Sequence, residues 1–176
     1  GTFFEKSGGS NFFFKISKTL TGRTRGAPAK ISVLSSALFG TMSGSPTSDV
    51  VATGAITIPL MKKFKYSASM AGGIEVAAST GGSLLPPIMG SAAFIMSEFT
   101  EIPYLSIVSV ALFPALVYYM SLLIQVHFRS QLKKIPYLVE AGPPDKVTVH
   151  DLLYLIPLFG LIISLILGFS PTMVAA

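Results

Sequence analysis

The 176-residue chain contains no cysteine, which excludes a disulfide framework and any thiolate metal site. Charge is scarce. Asp, Glu, Lys and Arg make up 12% of the residues, about half of the roughly 25% usual in a soluble domain. Acid is scarcer than base, 8 residues against 13. The bases cluster at the ends of apolar runs and form no stripe interleaved with exposed aromatics, so they read as signals of membrane orientation and not as a nucleic-acid surface. No signal-peptide pattern is found. A catalytic triad, a phosphate loop and a zinc cluster are missing too, which speaks against an enzyme, an intramembrane hydrolase included. What is abundant is apolar surface, at 51% of residues. The composition predicts an all-α membrane protein, with the lipid bilayer as its main surrounding. The closing apolar stretch from Pro171 to Ala176 suggests a piece of a longer polypeptide.

The run that organises the chain is 31–61, ISVLSSALFGTMSGSPTSDVVATGAITIPLM, bounded by Lys30 and by Lys62-Lys63. Gly44 and Pro46 lie two residues apart in its middle, and a proline there lacks a donor and clashes with the preceding turn. Two helices are therefore expected, with a break near 43–45. Ile31 to Met42 would reach roughly 18 Å and Pro46 to Met61 roughly 24 Å at 1.5 Å per residue. Neither crosses a bilayer core of about 30 Å, and lysines at both ends suggest that both ends are cytoplasmic. The expected element is a re-entrant hairpin with a polar tip near mid-membrane, where irregular backbone is tolerated only inside protein or beside a wet cavity.

Residues 1–30 alternate phenylalanines with lysines and read as an amphipathic interfacial segment, with a helix near 11–20, its phenylalanines in the acyl boundary; a soluble linker is the alternative. Gly22, Gly26 and Pro28 should form a turn. Residues 66–98 hold AASTGGSLLPPIMGSAAFIM, a transmembrane helix broken at Gly81-Gly82 and Pro86-Pro87. Counted from Lys65, Ser79 to Gly82 lie roughly 20–25 Å along a helix axis, close in depth to the hairpin tip. Residues 102–128 carry no Asp, Glu, Lys or Arg over 27 positions and read as a transmembrane helix, with Pro114 a possible kink. Residues 129–151 read as a cytoplasmic loop and 152–170 as a further span.

The two breaks hold the candidate site. At the tip, Ser43, Gly44, Ser45, Thr47 and Ser48 offer hydroxyl and carbonyl oxygens to a hard cation, and a broken helix frees carbonyls. The same residues also suit capping: Ser45 before Pro46 fits an N-cap with proline at the first helical position. Asp49 either offsets the helix dipole or serves the site, as a buried intramembrane carboxylate does by default. Glu75 either binds a proton or cation or pairs with a neighbouring segment outside this chain. Ser79, Thr80, Gly81, Gly82 and Ser83 repeat the oxygen-ligand pattern, with close helix packing the other role for the glycines. Pro86 completes the candidates. His127 and His150 read as interfacial, and Tyr104, Tyr118 and Tyr119 as belt or packing residues.

The blocks SALFGTMSGS and ASTGGSLLPP, within GAPAKISVLSSALFGTMSGSPTSDVVATGAITIPLMKK and EVAASTGGSLLPPIMGSAAFIM, strongly resemble the large membrane subunit of tripartite ATP-independent periplasmic (TRAP) transporters, most of all the fused-permease branch. The resemblance implies one repeat of an ion-transporter-superfamily elevator fold, where the full family member carries two inverted repeats. It implies sodium-driven import of a small organic acid brought by a periplasmic solute-binding protein, no cofactor beyond sodium as the coupling ion, and a multi-pass place in a bacterial or archaeal inner membrane. It implies as partners the remainder of the fused permease, with the second repeat and the small-subunit part. Carried over by this likeness, Ser43-Gly44-Ser45 and Ser79-Thr80-Gly81-Gly82 form one sodium site, with Ser43, Ser45, Ser79 and Gly81 as its ligands. The rival reading is a structural or assembly module of the membrane without its own ion site.

Overall fold

A computed structural model of the chain describes residues 9–22, 24–136, 156, 159, 160, 162 and 163. The described residues are mostly helical, with no strand among them. Six helices follow in order: α1 (Gly9–Thr21), α2 (Ala27–Ser43), α3 (Pro46–Lys63), α4 (Ala68–Thr80), α5 (Ser91–Thr100) and α6 (Tyr104–Leu132), with a single 3-10 turn at Gly81–Ser83 after α4. The expected span at 152–170 and the loop at 129–151 lie mostly outside the described residues; within the first, residues 156, 159, 160, 162 and 163 are helical.

α2 and α3 pack against each other as two arms, and α4 lies across both. The arms can approach closely because α2 buries small side chains along its length, among them Ala29, Ser32, Ser36 and Gly40, and small residues let helix backbones come near. The break between the arms has a local cause. Gly44 takes a left-handed conformation at φ 58° and its N–H donates to the Gly40 carbonyl at 3.0 Å, a glycine C-terminal stop. Ser45 is extended and Pro46 opens α3, the position where a missing donor costs nothing.

The arms are longer than the sequence suggests. α2 begins at Ala27, not Ile31, because Gly26 turns the chain at φ 71° and Pro28 sits within the first helical turn. Pro28 thus starts a helix where a turn is expected. Lys30 lies inside the helix and is buried, its Nζ donating to Thr24 Oγ1 at 3.0 Å. At 1.5 Å per residue the arms reach roughly 26 and 27 Å.

α1 also departs from expectation in what it touches. Phe12 and Phe13 are buried against Phe39 and Ala52 of the two arms, with the Phe13 and Phe39 rings edge to face at 6.5 Å. These phenylalanines meet protein where an acyl boundary is expected, since the arms offer an aromatic and an alanine at the right height. α6 is 29 residues long and mostly exposed, and among the described residues it alone is long and apolar enough to cross a membrane. Its C-terminal end is tied back by Tyr66, whose hydroxyl lies 2.7 Å from Ser130 Oγ. Its N-terminal end is tied by Tyr104, whose hydroxyl lies 2.9 Å and 2.7 Å from the Pro87 and Ile88 carbonyls.

Candidate functional site

The hairpin tip and the broken helix meet. The Gly44 Cα faces the Met89 carbonyl so closely that a Cβ there would come to 1.9 Å. Deeper in, Gly40 of α2 and Gly82 of the 3-10 turn touch backbone to backbone, and a Cβ on Gly40 would reach the Gly82 Cα at 2.5 Å. Both glycines are needed for this approach, since any side chain would separate the elements.

Asp49 is seated at this junction. It is fully buried one turn into α3. Its Oδ1 accepts a hydrogen bond from Ser43 Oγ. Its Oδ2 lies against Gly82, where a Cβ would come to 2.5 Å, and has no hydrogen-bond partner among the described residues. Ser79 Oγ, a turn before Gly82, is likewise buried and without a partner. Buried polar atoms are nearly always paired, so each orphan requires an explanation.

The remaining tip residues stand outside this pocket. Ser45 occupies the N-cap position of α3, yet its side chain caps nothing and is exposed; its N–H donates to Ser43 Oγ at 3.2 Å. Thr47 is exposed and Ser48 half-buried. Thr80 is exposed, and its hydroxyl donates back to the Val76 carbonyl at 2.7 Å. Ser83 Oγ donates to the Thr80 carbonyl at 2.9 Å. Gly81 is buried for another reason: it faces the rings of Tyr118 and Tyr119, with a Cβ reaching either at 2.7 Å. Pro86 is half-buried in the turn that joins Ser83 to α5. Of the sequence candidates, the structure gathers Ser43, Asp49 and Gly82 at one point and leaves Ser45, Thr47 and Thr80 facing outward.

A second polar centre lies about one turn further along α3. Glu75 of α4 is fully buried, and four hydroxyls point at its carboxylate. Ser32 Oγ donates to Oε2 at 2.7 Å, Ser36 Oγ to Oε1 at 3.0 Å, Thr53 Oγ1 to Oε1 at 2.5 Å, and Thr57 Oγ1 to Oε2. Two donors come from each hairpin arm. An ionised carboxylate is an acceptor only, with about four lone-pair sites, so four hydroxyls satisfy it. The hydrogen-bond partner of Glu75 is the hairpin of this same chain, where the sequence left either a proton or cation or a segment outside the chain as its partner.

Sequence reasoning passed over Gly40 and the four hydroxyls around Glu75. A signal was there. Ser32 and Ser36 are four apart on α2, and Asp49, Thr53 and Thr57 are four apart on α3, so each set forms a polar stripe on one face of an otherwise apolar helix. Tyr118 and Tyr119 do more than belt or packing duty: their hydroxyls donate to the Ala77 and Ala78 carbonyls at 2.7 and 2.9 Å, holding the end of α4 where the helix breaks.

Two hydroxyl-bearing arms, one broken helix and a half-satisfied carboxylate meet at this centre. Among the described residues no group of three or more His, Cys, Asp or Glu gathers as a metal cluster. The family model of the tripartite ATP-independent periplasmic transporter DctM component matches residues 1–176. The chain belongs to this family. Its members are TRAP transporter permeases, which are membrane transporters and not enzymes. The chain is similar to the C4-dicarboxylate TRAP transporter large permease protein DctM of Pseudomonas aeruginosa, 29% identical over 136 residues, which cover 77% of this chain and 31% of that protein. It is similar to the sialic acid TRAP transporter large permease protein SiaM of Vibrio cholerae, 32% identical over 87 residues, 49% of this chain and 20% of that protein. The chain thus spans less than a third of the length of these relatives.

Proposed function

We propose that this chain forms part of a secondary transporter of a bacterial or archaeal inner membrane, importing a small organic acid delivered by a periplasmic solute-binding protein and driven by sodium. The rest of the permease and the small TRAP subunit are its partners. The hairpin acts as a re-entrant element, and hairpin and broken helix travel together as the moving part of an elevator. The organic-acid reading draws on the relatives, which are named for a C4-dicarboxylate and for sialic acid, both carriers of carboxylates.

One observation carries the sodium reading: Asp49 Oδ2, buried against Gly82 where tip and break meet, has no partner among the described residues, and Ser79 Oγ, three residues before Gly82, is buried and unpartnered too. A desolvated carboxylate oxygen without a donor is costly, and a small hard cation with oxygen ligands removes that cost. Gly82 leaves the room that a side chain would fill. Asp49 and Ser79 are therefore the chosen anchors, with Ser43 orienting the carboxylate. Backbone oxygens at the two breaks complete the set.

Sodium binding to the native state raises its melting temperature by mass action. In the intact permease, sodium at constant ionic strength should raise the melting temperature of the wild type. Asp49→Asn should leave the sodium-free melting temperature unchanged or higher and shift half-saturation upward at least tenfold. Equal sodium dependence in the two proteins returns Asp49 to a dipole role and favours the assembly-module reading.

A further inference from the structure

We infer that Glu75 serves as a fixed remote charge that raises the cation affinity of the Asp49 centre; this rests on the sodium reading above and extends it to a residue that does not touch the ion. Glu75 is fully buried, and its four neighbours are neutral hydroxyls. Hydroxyl donors satisfy the lone pairs of a carboxylate but do not cancel its charge. Among the described residues no cation stands at the cage. Lys30, a buried lysine two residues before Ser32 on α2, donates to Thr24 and makes no ion pair with Glu75. An ionised Glu75 therefore acts beyond its cage.

The centre nearest to it along α3 is Asp49. Thr53 connects the two: its Oγ1 lies 2.8 Å from the Asp49 carbonyl and 2.5 Å from Glu75 Oε1. One helical turn, about 5.4 Å of axis, separates Asp49 from Thr53. Two carboxylates thus share one desolvated core, one satisfied by hydroxyls and the other half open. Such an arrangement favours a cation between tip and break, because placing it there relieves repulsion between the two anions as well as the open valence of Asp49. A unit charge about 10 Å from a cation changes its affinity by roughly tenfold at an effective dielectric near 20. Glu75 is in this sense a positioning residue for the field and supplies no ligand atom.

The test separates charge from packing. The full-length permease is titrated with sodium, choline holding the ionic strength, and the melting temperature is followed. Glu75→Gln keeps the shape and most of the hydrogen bonds but removes the charge; half-saturation should rise about tenfold. Ser32→Ala keeps the charge but removes one donor; it should lower the sodium-free melting temperature and leave half-saturation within about twofold of wild type. If Glu75→Gln binds sodium as the wild type does while Asp49→Asn is impaired, the remote charge is overturned and the sodium site stands. If neither variant changes sodium dependence, both readings fall. A tenfold loss of sodium affinity in Ser32→Ala that tracks its loss of stability makes packing the cause and overturns the proposal.

Discussion

The two buried carboxylates of this chain sit on facing helices and differ in how far they are satisfied. Glu75 receives two hydroxyls from each hairpin arm. Asp49 receives one, from Ser43, and keeps Oδ2 open beside Gly82. A saturated carboxylate locks elements together, since moving either arm breaks bonds that nothing in an apolar core replaces. A half-saturated one keeps an acceptor oxygen without a donor. The same residue type thus serves two ends, and what divides them is the supply of donors. Around Glu75 the helices are regular and present hydroxyls every fourth residue. Around Asp49 the backbone is broken, the neighbours are glycines, and glycine brings no donor side chain.

The division can be broken most severely at Gly82. A Cβ there would meet Asp49 Oδ2 at 2.5 Å and the Gly40 Cα at 2.9 Å. The second atom is backbone and cannot give way cheaply. Gly82→Ala should cost about 3 kcal/mol or more, at the upper end of overpacking, and should abolish uptake by the intact transporter. A variant that melts and transports like the wild type would mean that tip and break do not touch.

Glu75→Ala comes next. It leaves four hydroxyls without their common acceptor and opens a void in the core. Some redirect to backbone, as Thr57 Oγ1 already lies 3.0 Å from the Thr53 carbonyl, so the loss is less than four full orphans. An effect on the order of 3 kcal/mol follows from the lost bonds and the cavity together. Denaturation of the intact permease without sodium reads it directly. The comparison requires this sodium-free loss to exceed that of Asp49→Asn; the reverse order would exchange the roles of the two carboxylates.

Much of this architecture is legible in the sequence, and the unreadable part has physical causes. Gly44 and Pro46 announce the break of the hairpin because each forbids the helix locally, without help from tertiary contacts. The second break is legible because Pro86-Pro87 follow Gly81-Gly82; a glycine pair alone does not suffice, since Gly72-Gly73 lie unbroken inside α4. The helix start at Ala27 was not, because proline serves both turns and first helical turns, and only the left-handed Gly26 decides between them. Donor supply was the least readable quantity. A hydroxyl in an apolar run can return to its own backbone, as Ser35 does to Ile31 at 2.7 Å, or reach a partner on another helix, as Ser32 does. Composition cannot tell these apart; the four-residue stripe facing Glu75 can, once Glu75 is taken as the thing it faces. The tip misled in the opposite sense. Its hydroxyls look alike in sequence, yet the turn of the backbone sends Ser43 inward and Ser45 outward.

That last contrast gives the smallest predicted effect and the finest test. Ser45 is exposed, its hydroxyl caps nothing, and its contact with the centre is its backbone N–H on Ser43 Oγ. Ser45→Ala keeps that N–H and the extended backbone before Pro46. The usual cost of removing an N-cap serine, about 1 kcal/mol, should therefore not appear, and a change within about 0.5 kcal/mol is expected, as at other surface positions. Sodium half-saturation should move less than twofold. Ser43→Ala is the sharpening control: it removes the one hydroxyl that orients Asp49, leaving both carboxylate oxygens without a donor, and should change sodium affinity more than Ser45→Ala does. Titrating the melting temperature of both variants with sodium reads both quantities in one experiment. If Ser45→Ala proved the more harmful, the ion would sit on the outer side of the tip, and the open valence of Asp49 would need another occupant.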